Sequence, residues 1–526
     1  MTGACKKVSF ACLLLIGVVS IVLGIVALTI IEGVVDKNVL QRDYLGYDVT
    51  NGTKRLNSMT KSWIRPQYHM QMQIWMYNLT NMEDVLKGAK PIVKEIGPFT
   101  FTERQWKSSY EFDKNDTRIW YRNNHVYVFN ESLSCPNCSL NQTVIIPNVL
   151  FQKLVDFADM GFMQKFAIEA ALTFTKTETP FINVSVREAL YDGYKDPLLD
   201  VVCNKPVLKA VCAAAKIPER IGFFYGQNNT DDGLYEISTG LGNVAQIGKV
   251  HSYNNMSIMP ETVWDSTDAR EIHGSDGQLF PPFLKEGSNL EIFAGPICRS
   301  LVLEFRQRSQ IQGVTAFRYG FPAKMYDPSV AENRGFCNKN ATPTFFNSSV
   351  QIPGCLPKGC LDIGRCLPGS PRVYLSNSHF LHGNPELQSA IKGMDAPNEL
   401  NDETYIDIEP TSGVPIHAKR VMQINVGMSK GKDPLRILSQ MENIIFPVLW
   451  MNETIYFDSD TRNQLSGLTT IKHLVYVIGV SLLTAGLLVL FAVTVTVVLQ
   501  TVFKPPADDE QPILQDDVVE EEVGEI

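Results

Sequence analysis

The pattern of apolar and polar residues shows two long uncharged runs, one near each end of the chain. Val8–Ile31 and Leu474–Leu499 both extend beyond twenty residues without a charged side chain. About 20 such residues allow an α-helix to cross the hydrocarbon core of a bilayer, and a helix satisfies its own backbone hydrogen bonds there. We therefore predict two transmembrane helices.

The first run could instead be a cleaved signal peptide, because it follows Lys6 and Lys7 closely. The apolar region of a signal peptide is usually only about 7–15 residues long, and no small-x-small cleavage site ends this run. We predict a retained anchor. The chain then divides into a terminus 1–7, a first span, a long segment 32–473, a second span and a tail 500–526.

Most of segment 32–473 mixes β-branched and aromatic residues between Gly, Pro, Asn and Asp, which predicts antiparallel strands. The clearest strand segments are IWYRNNHVYVFNES, GLYEISTG, LEIFAG, SLVLEFRQ, TAFRYGFP, PRVYLSN, TYIDIEPTSG and RVMQINVGM. The block from Asn148 to about Ala215 differs, because its apolar residues recur at helical spacing after an asparagine suited to capping. We expect a helical cluster attached to one end of a β core.

The helical block is apolar around much of its circumference, with Phe151, Met160, Phe162 and Met163 among the residues responsible. Apolar residues on a helix usually face their own core. An unusually wide apolar face also fits an exposed surface that contacts a ligand. Both interpretations remain open from the sequence.

N-glycosylation sequons place segment 32–473 on one side of the membrane. The acceptor asparagines are Asn51, Asn78, Asn115, Asn130, Asn137, Asn141, Asn183, Asn228, Asn255, Asn340, Asn347 and Asn452, all of them between the two spans. Glycans are added on the lumenal side. We predict a lumenal or extracellular glycoprotein segment, Glu32–His473, with both chain termini in the cytosol.

Nine cysteines fall in this segment, and an oxidising compartment favours disulfides between them. Because the number is odd, at least one stays free or pairs between chains. The spacing of Cys355, Cys360 and Cys366 also raises a zinc site, but the paired CxxC spacing of structural zinc sites is missing. Disulfides are the favoured interpretation.

Net charge is concentrated in the tail, where nine acidic residues face one lysine, Lys504. The segment between the spans is nearly neutral, which argues against nucleic-acid binding. Gly240–Ala245 fits the dinucleotide pattern G-x-G-x-x-G/A, but no helix is predicted after it, so a hairpin turn is expected. His379 and His382 have no acidic cluster beside them in sequence. We expect no catalytic residue, no cofactor and no metal.

Several strings resemble the class B scavenger receptor family, in the family's order and across nearly the whole chain. They are EIGPFTF (Glu95–Phe101), REALYDGYKDP (Arg187–Pro197), NNTDDGLYEISTG (Asn228–Gly240), FPPF (Phe280–Phe283), ICRS (Ile297–Ser300), DETYIDIEPTSGVPIHAKRVMQIN (Asp402–Asn425) and FPVLWMNET (Phe446–Thr454). The string AIKGMDAPNELNDETYIDIEP and the tail look most like the branch of lysosomal integral membrane proteins.

The resemblance implies an α+β fold, in which a large antiparallel β-barrel carries a helical bundle at its membrane-distal apex and a lipid tunnel through its core. It also implies a receptor that binds lipids, lipoprotein-like particles or another lipid-bearing ligand and passes lipid through the tunnel. Apolar chains gain about 0.8 kcal/mol per methylene kept from water on such a path. The alternative is a sorting receptor that escorts a soluble hydrolase to lysosomes through the apical helices.

The family's pattern further implies disulfides Cys298–Cys366 and Cys337–Cys355. Cys135–Cys138 and Cys203–Cys212 look like additional pairs, which leaves Cys360 as the odd thiol. A third family bridge is lost as a pair, since Gly335 stands at one cysteine position and the segment DSTDAREIHG lacks the other. A lysine of the family's apical segment has no aligned counterpart. The nearest candidate is Lys176, beside Phe151, Phe162 and Met163 at the expected ligand-binding apex.

The acidic tail contains one apolar pair, Ile513 and Leu514, four residues after Asp509. This arrangement resembles the sorting signal [DE]-x-x-x-L-[LI], which clathrin adaptors read through an apolar pocket and a basic surface. The alternative is a solvated acidic tail with two apolar residues by chance. The signal predicts residence in the endosome or lysosome membrane, whereas its absence would favour the plasma membrane.

Overall fold

The structure is a computed structural model that describes residues 3–31, 33, 36–37, 41, 43–175, 179–197, 199, 219–339, 341–346 and 351–503. The chain forms two compact units, which we call the helical unit (1–36 with 470–526) and the barrel unit (37–469). Among the described residues the α-helices are α1 (Gly3–Val26), α2 (Ser58–Ile64), α3 (Met82–Leu86), α4 (Val149–Ala158), α5 (Phe162–Thr175), α6 (Thr267–Arg270), α7 (Pro385–Ser389), α8 (Glu399–Asp402) and α9 (Ser459–Val502).

The helical unit contains both predicted spans. Residues Phe10–Thr29 and His473–Val502 lie in helices long and apolar enough to cross a membrane. The first helix continues past α1 as a π-helical turn, Ala27–Ile31. The last helix begins well before the predicted span, because Asp458 accepts hydrogen bonds from the backbone and hydroxyl of Thr461, both at 2.9 Å, as an N-cap residue does.

Glycines bring the two spans into backbone contact. A Cβ atom built on Gly24 would lie 2.9 Å from the carbonyl oxygen of Gly479, and one on Gly486 would lie 2.8 Å from the carbonyl oxygen of Gly17. Gly24, the later of the two glycines in α1, contacts Gly479, the earlier of the two in α9. The two helices are therefore antiparallel. Small residues allow this close approach, which is the usual means of helix packing in membranes.

The barrel unit is built on one large antiparallel sheet. Its described strands, with those of two small hairpins, are β1 (Tyr47–Thr50), β2 (Thr53–Leu56), β3 (His69–Leu79), β4 (Val93–Phe112), β5 (Arg118–Phe129), β6 (Thr143–Pro147), β7 (Phe181–Ser185), β8 (Thr230–Ser238), β9 (Val250–Tyr253), β10 (Leu290–Ala294), β11 (Arg299–Ile311), β12 (Val314–Gly320), β13 (Cys360–Asp362), β14 (Val373–Ser376), β15 (Tyr405–Ile408), β16 (Pro415–Met428) and β17 (Ile444–Tyr456).

The strand order of the main sheet is β10-β11-β12-β15-β16-β17-β3-β4-β5-β8-β9. β14 pairs with the second half of β16 and carries β13 on its other side. The two outer strands approach each other through Ser275, which bridges Lys249 beside β9 and Ile292 in β10. The sheet is therefore nearly closed into a barrel, and the predicted α+β class is confirmed.

Part of the barrel core comes from alternating residues in the first half of β3. In β3, Met70, Met72 and Ile74 are buried, whereas Gln71 is exposed and Gln73 is half-buried. Successive side chains of a strand point to opposite faces, so the methionines and Ile74 face the interior. Each predicted strand segment overlaps a strand of the structure, but the long central strands β3, β4 and β17 were not among them.

The structure resolves three details of the predicted helical block and the predicted turn. Asn148 caps α4, since its side chain accepts hydrogen bonds from the backbone of Leu150 and Phe151. The block is not helical throughout, because Phe181–Ser185 forms β7 and pairs with β6. Gly240–Ala245 lies in the connection between the antiparallel strands β8 and β9, so the expected hairpin turn is confirmed.

Candidate ligand-binding surface

Helices α4 and α5 present a cluster of large apolar side chains to solvent. Phe162 is 78% exposed, Met160 71% and Met163 70%. Phe157 and Phe166 are exposed beside them in the sequence. We call these five residues the α4–α5 surface. Single exposed apolar residues are ordinary, but a concentration of large ones on one helical element marks a candidate interaction site.

The loop between β16 and β17 holds the two helices on the barrel. The carboxylate of Asp159 accepts the backbone N–H of Lys432 at 2.9 Å, and Glu169 accepts that of Arg436 at 2.6 Å. Lys165 in α5 also pairs with Asp433 at 2.6 Å. These polar contacts occupy one side of the helices, so the apolar side chains of the α4–α5 surface remain in solvent.

The structure divides the predicted apex residues. Phe162 and Met163 belong to the exposed surface, whereas Phe151 is fully buried in the core of the barrel unit. Phe151 is therefore corrected from a ligand-facing to a core residue, since α4 turns that side toward the barrel. Lys176 lies outside the described residues. Phe157 and Phe166 were not among the predicted apex residues, although the structure exposes both of them.

The arrangement suits contact with an apolar assembly. Methionine side chains are flexible and polarisable, so they adapt to an irregular apolar partner, and phenyl rings contribute a large apolar area. Burying such side chains stabilises a complex by about 1.5–3 kcal/mol each when burial is complete. The surface can therefore bind an apolar ligand without covalent chemistry.

A second set of residues joins three of the strings that carry the family resemblance. His379 contacts two carboxylates, Asp402 through Nδ1 at 2.9 Å and Glu95 through Nε2 at 3.4 Å. The indole N–H of Trp450 donates to Glu95 at 3.0 Å, and Trp450 stacks on Trp75 at 3.8 Å. We call these residues the His379 cluster. It connects β4 and β17 with the loop that precedes β15.

The electrostatics of the His379 cluster favour a charged imidazole. Burial lowers the pKa of His379, but hydrogen bonds to Asp402 and Glu95 outweigh it and raise the pKa to about 9. Conversely, burial raises the pKa values of Asp402 and Glu95, and their hydrogen bonds with His379 outweigh that effect and lower them. Both ring nitrogens of His379 therefore contact carboxylates of the protein, so we assign His379 a structural role.

Cysteines follow the expected framework where they are described. The structure joins Cys135 to Cys138, Cys298 to Cys366 and Cys337 to Cys355, and leaves Cys360 as a buried free thiol. Cys355 and Cys366, two of the three cysteines considered for a zinc site, are therefore in disulfides. Gly335 lies directly against Ser266, where the family's third bridge would stand. Cys203 and Cys212 lie outside the described residues.

The glycosylation sequons differ in exposure. Seven acceptor asparagines are exposed, namely Asn51, Asn115, Asn137, Asn141, Asn183, Asn228 and Asn255. Asn78, Asn130 and Asn452 are half-buried. Asn340 and Asn347 lie outside the described residues, as do Asp509, Ile513 and Leu514 of the predicted sorting signal. Exposure makes the first seven the better glycan acceptors.

The barrel interior also carries charge. Arg420 in β16 donates to Glu453 in β17, and it interacts electrostatically with Glu103 in β4 and Tyr127 in β5. Two strands separate β16 from β4 in the sheet, so this interaction passes through the inside of the barrel. His125 adds a contact to Glu103 at 2.7 Å. No charged residue of this group was predicted, because isolated charges in strands resemble ordinary solvent-facing positions.

Comparison with protein families gives one match over almost the entire chain. A family model described as the CD36 family matches residues 13–497. The match includes most of both predicted spans and all of the barrel unit. The barrel, the α4–α5 surface and the His379 cluster therefore all belong to the matched region.

Individual relatives support the same assignment. Lysosome membrane protein 2 of Mus musculus is 31% identical over 481 residues, which cover 89% of this chain and 93% of that protein. The Homo sapiens protein of the same name is 28% identical over 484 residues, with the same two coverages. Sensory neuron membrane protein 1 of Bombyx mori is 29% identical over 413 residues, 75% of this chain and 74% of that protein.

Proposed function

Because this chain belongs to the CD36 family, the class B scavenger receptors, we propose that it is a membrane receptor that binds lipids or lipid-bearing particles and passes lipid through its barrel. Members of this family are receptors, so the proposed activity is binding and transfer without bond chemistry. Two apolar terminal helices anchor the chain in the membrane. Its relatives named lysosome membrane protein 2 support residence in the lysosome membrane.

The observation that carries the proposal is the α4–α5 surface. Five large apolar side chains stand in solvent close together in the sequence, and removing them from water is favourable. A lipid-bearing particle offers an apolar surface wide enough to contact all five. A carbohydrate or a small ion would leave them exposed.

The surroundings of Arg420 support the transfer step. Burial lowers the pKa of its guanidinium, although Glu453 and Glu103 outweigh that effect and raise it. The same side chain nevertheless keeps 48% of its surface accessible. Both facts are explained if Arg420 borders a water-accessible space enclosed by the barrel. Apolar residues of β3 and β17 border the same interior, which would suit the acyl chains of a lipid.

Binding to protein-free lipid particles tests the proposal. The full-length chain in nanodiscs would be held on a biosensor and exposed to phosphatidylcholine liposomes. We expect the double variant Phe162→Ser with Met163→Ser to lose at least about tenfold in affinity, because two apolar contacts are lost. Leu400→Ser is the matched control, since Leu400 is 85% exposed outside the surface.

Equal liposome binding by the wild type and the double variant would contradict a lipid-binding role for the surface. If the wild type ignores liposomes but retains a soluble lysosomal hydrolase, and the double variant does not, the escort function is correct instead. Mass spectrometry of lipid extracted from the purified chain tests separately whether the barrel interior holds lipid. A chain free of lipid after mild purification would argue against the transfer path.

A further inference from the structure

Arg299, in the family string ICRS, is a buried cation without an acidic partner. It opens β11 directly after Cys298, and only 5% of its surface is exposed. Its Nη2 donates to the backbone oxygen of Met325 at 3.1 Å and to Oδ1 of Asn333 at 2.9 Å, which are both neutral acceptors. In the part of the chain that the structure describes, no carboxylate lies within 4.0 Å of the guanidinium.

The remaining contacts of Arg299 only partly compensate its charge. The guanidinium carbon lies 3.8 Å from the ring centre of Phe336 and 5.8 Å from that of Tyr326. Such cation–π contacts stabilise by about 0.5–2 kcal/mol, far less than the cost of burying an unpaired ion. Its Nε is buried and has no hydrogen-bond acceptor among the described residues. Burial lowers the pKa of Arg299 to about 10, so it remains cationic at neutral and acidic pH.

A small cavity lies against this guanidinium. Its volume is about 20 Å³, and Arg299, Tyr326, Asn338, Thr342 and Cys360 are among the lining residues. This space is large enough for at least one species of the size of a water molecule. A monatomic halide, which is close to a water molecule in size, fits this space.

We propose that this cavity binds one small inorganic anion, of the size of chloride, against the Arg299 guanidinium. The anion supplies negative charge in direct contact with the guanidinium, where the described residues place no carboxylate, and it accepts the free Nε–H. Charge-assisted hydrogen bonds of this kind are about twice as strong as neutral ones. The site does not depend on lipid binding, because it lies beside the Cys337–Cys355 disulfide and not among the residues of the α4–α5 surface.

Asp362 sets the pH at which the anion binds best, because it lines the same cavity. Burial raises its pKa to about 6, although the Gly364 amide, Asn338, Arg365 and Arg372 act in the opposite direction. Tyr374 faces it across the β13–β14 pair. Above this pH the Asp362 carboxylate repels an anion, and below it the neutral acid does not. We expect tighter binding at pH 5 than at pH 7.5.

The test compares bromide with gluconate at constant ionic strength and pH 5, using thermal unfolding of the full-length chain in detergent. We expect bromide to raise the unfolding midpoint saturably, by about 1–3 °C at tenfold excess over the dissociation constant. Arg299→Gln should abolish the rise. Arg308→Gln is the control, because Arg308 is an exposed partner of Glu286 and should leave the rise unchanged.

A crystal of the wild-type chain soaked in bromide keeps the test independent of whether Arg299→Gln folds. An anomalous peak in hydrogen-bond reach of the Arg299 guanidinium supports the proposal. Absence of both the peak and the saturable rise in the wild type overturns it, and the cavity then holds water only. An equal bromide effect in wild type and folded Arg299→Gln also overturns it, since the ion would bind elsewhere.

Discussion

At the scale of single residues, His379 shows how distant parts of the sequence become one interaction. Glu95, Asp402 and Trp450 come from three separate strings and meet at hydrogen-bond distance around His379 and Glu95. A buried charged hydrogen bond is costly to break from one side, because the partner charge then stays buried without compensation. The cluster therefore ties these distant parts of the chain together.

We expect His379→Gln to lower the free energy of unfolding by about 3 kcal/mol at pH 6, as for other broken buried ion pairs. The pKa of His379 is raised to about 9, so its contribution is complete below its ordinary pKa of about 6.5 and declines as the pH rises through 9. The difference in unfolding midpoint between variant and wild type should therefore shrink between pH 7 and pH 10.

The exposed His69 provides the control, and His69→Gln should leave the midpoint unchanged across this range. A midpoint difference for His379→Gln that stays constant up to pH 10 would show that the imidazole acts by packing, without its charge.

Residue-scale predictions from the sequence succeeded where local chemistry decides the outcome. Asn148 as a helix cap needs only its side chain and the next two backbone amides. The sequence could not distinguish the buried Phe151 from the exposed Phe162, because both lie in a segment that is apolar on all sides. Their difference depends on which side of α4 and α5 meets the β16–β17 loop, and that contact joins residues far apart in the chain.

At the scale of elements, the two apolar helices form a pair held by glycines. We expect Gly24→Leu to separate them, because even a Cβ atom there would lie 2.9 Å from the backbone of Gly479. The measurement is disulfide cross-linking between Ala27→Cys and Gly479→Cys, whose Cβ atoms would lie about 3.3 Å apart. Digestion and mass spectrometry would identify the linked peptides.

Gly33→Leu is the matched control, since a Cβ atom at Gly33 has no neighbour within 4 Å. Cross-linking should persist in the control and fall several-fold with Gly24→Leu. An unchanged yield with Gly24→Leu would mean that the glycine contact does not hold the pair. The length of the two uncharged runs was enough to predict both helices from the sequence. Their antiparallel contact could not be predicted, because a glycine in an apolar run does not by itself indicate a helix contact.

At the scale of the whole molecule, the tail is predicted to decide where the receptor resides. We expect Ile513→Ala with Leu514→Ala to move the chain to the cell surface, because the apolar pair would supply most of the affinity of a short adaptor-bound peptide. Asp509→Asn should act more weakly, since eight other tail carboxylates remain and exposed ion pairs contribute little.

Surface biotinylation of the wild type beside each variant measures this distribution. A surface fraction that does not change in the double alanine variant would favour the solvated-tail interpretation and a receptor of the plasma membrane. Asp509→Asn serves as the internal comparison, because it alters charge and leaves the apolar pair intact.

The sheet order has a consequence for biosynthesis. β3 stands near the start of the barrel unit and β17 near its end, yet they pair along their length, with His69 opposite Tyr456. During translation β3 has one edge without its partner until nearly the whole barrel unit has been synthesised. Pairing at such sequence separation is slow, because loop-closure entropy must be overcome first. The barrel can thus be completed only once β17 has been synthesised, and until then the unpaired edge of β3 is open to pairing with other chains.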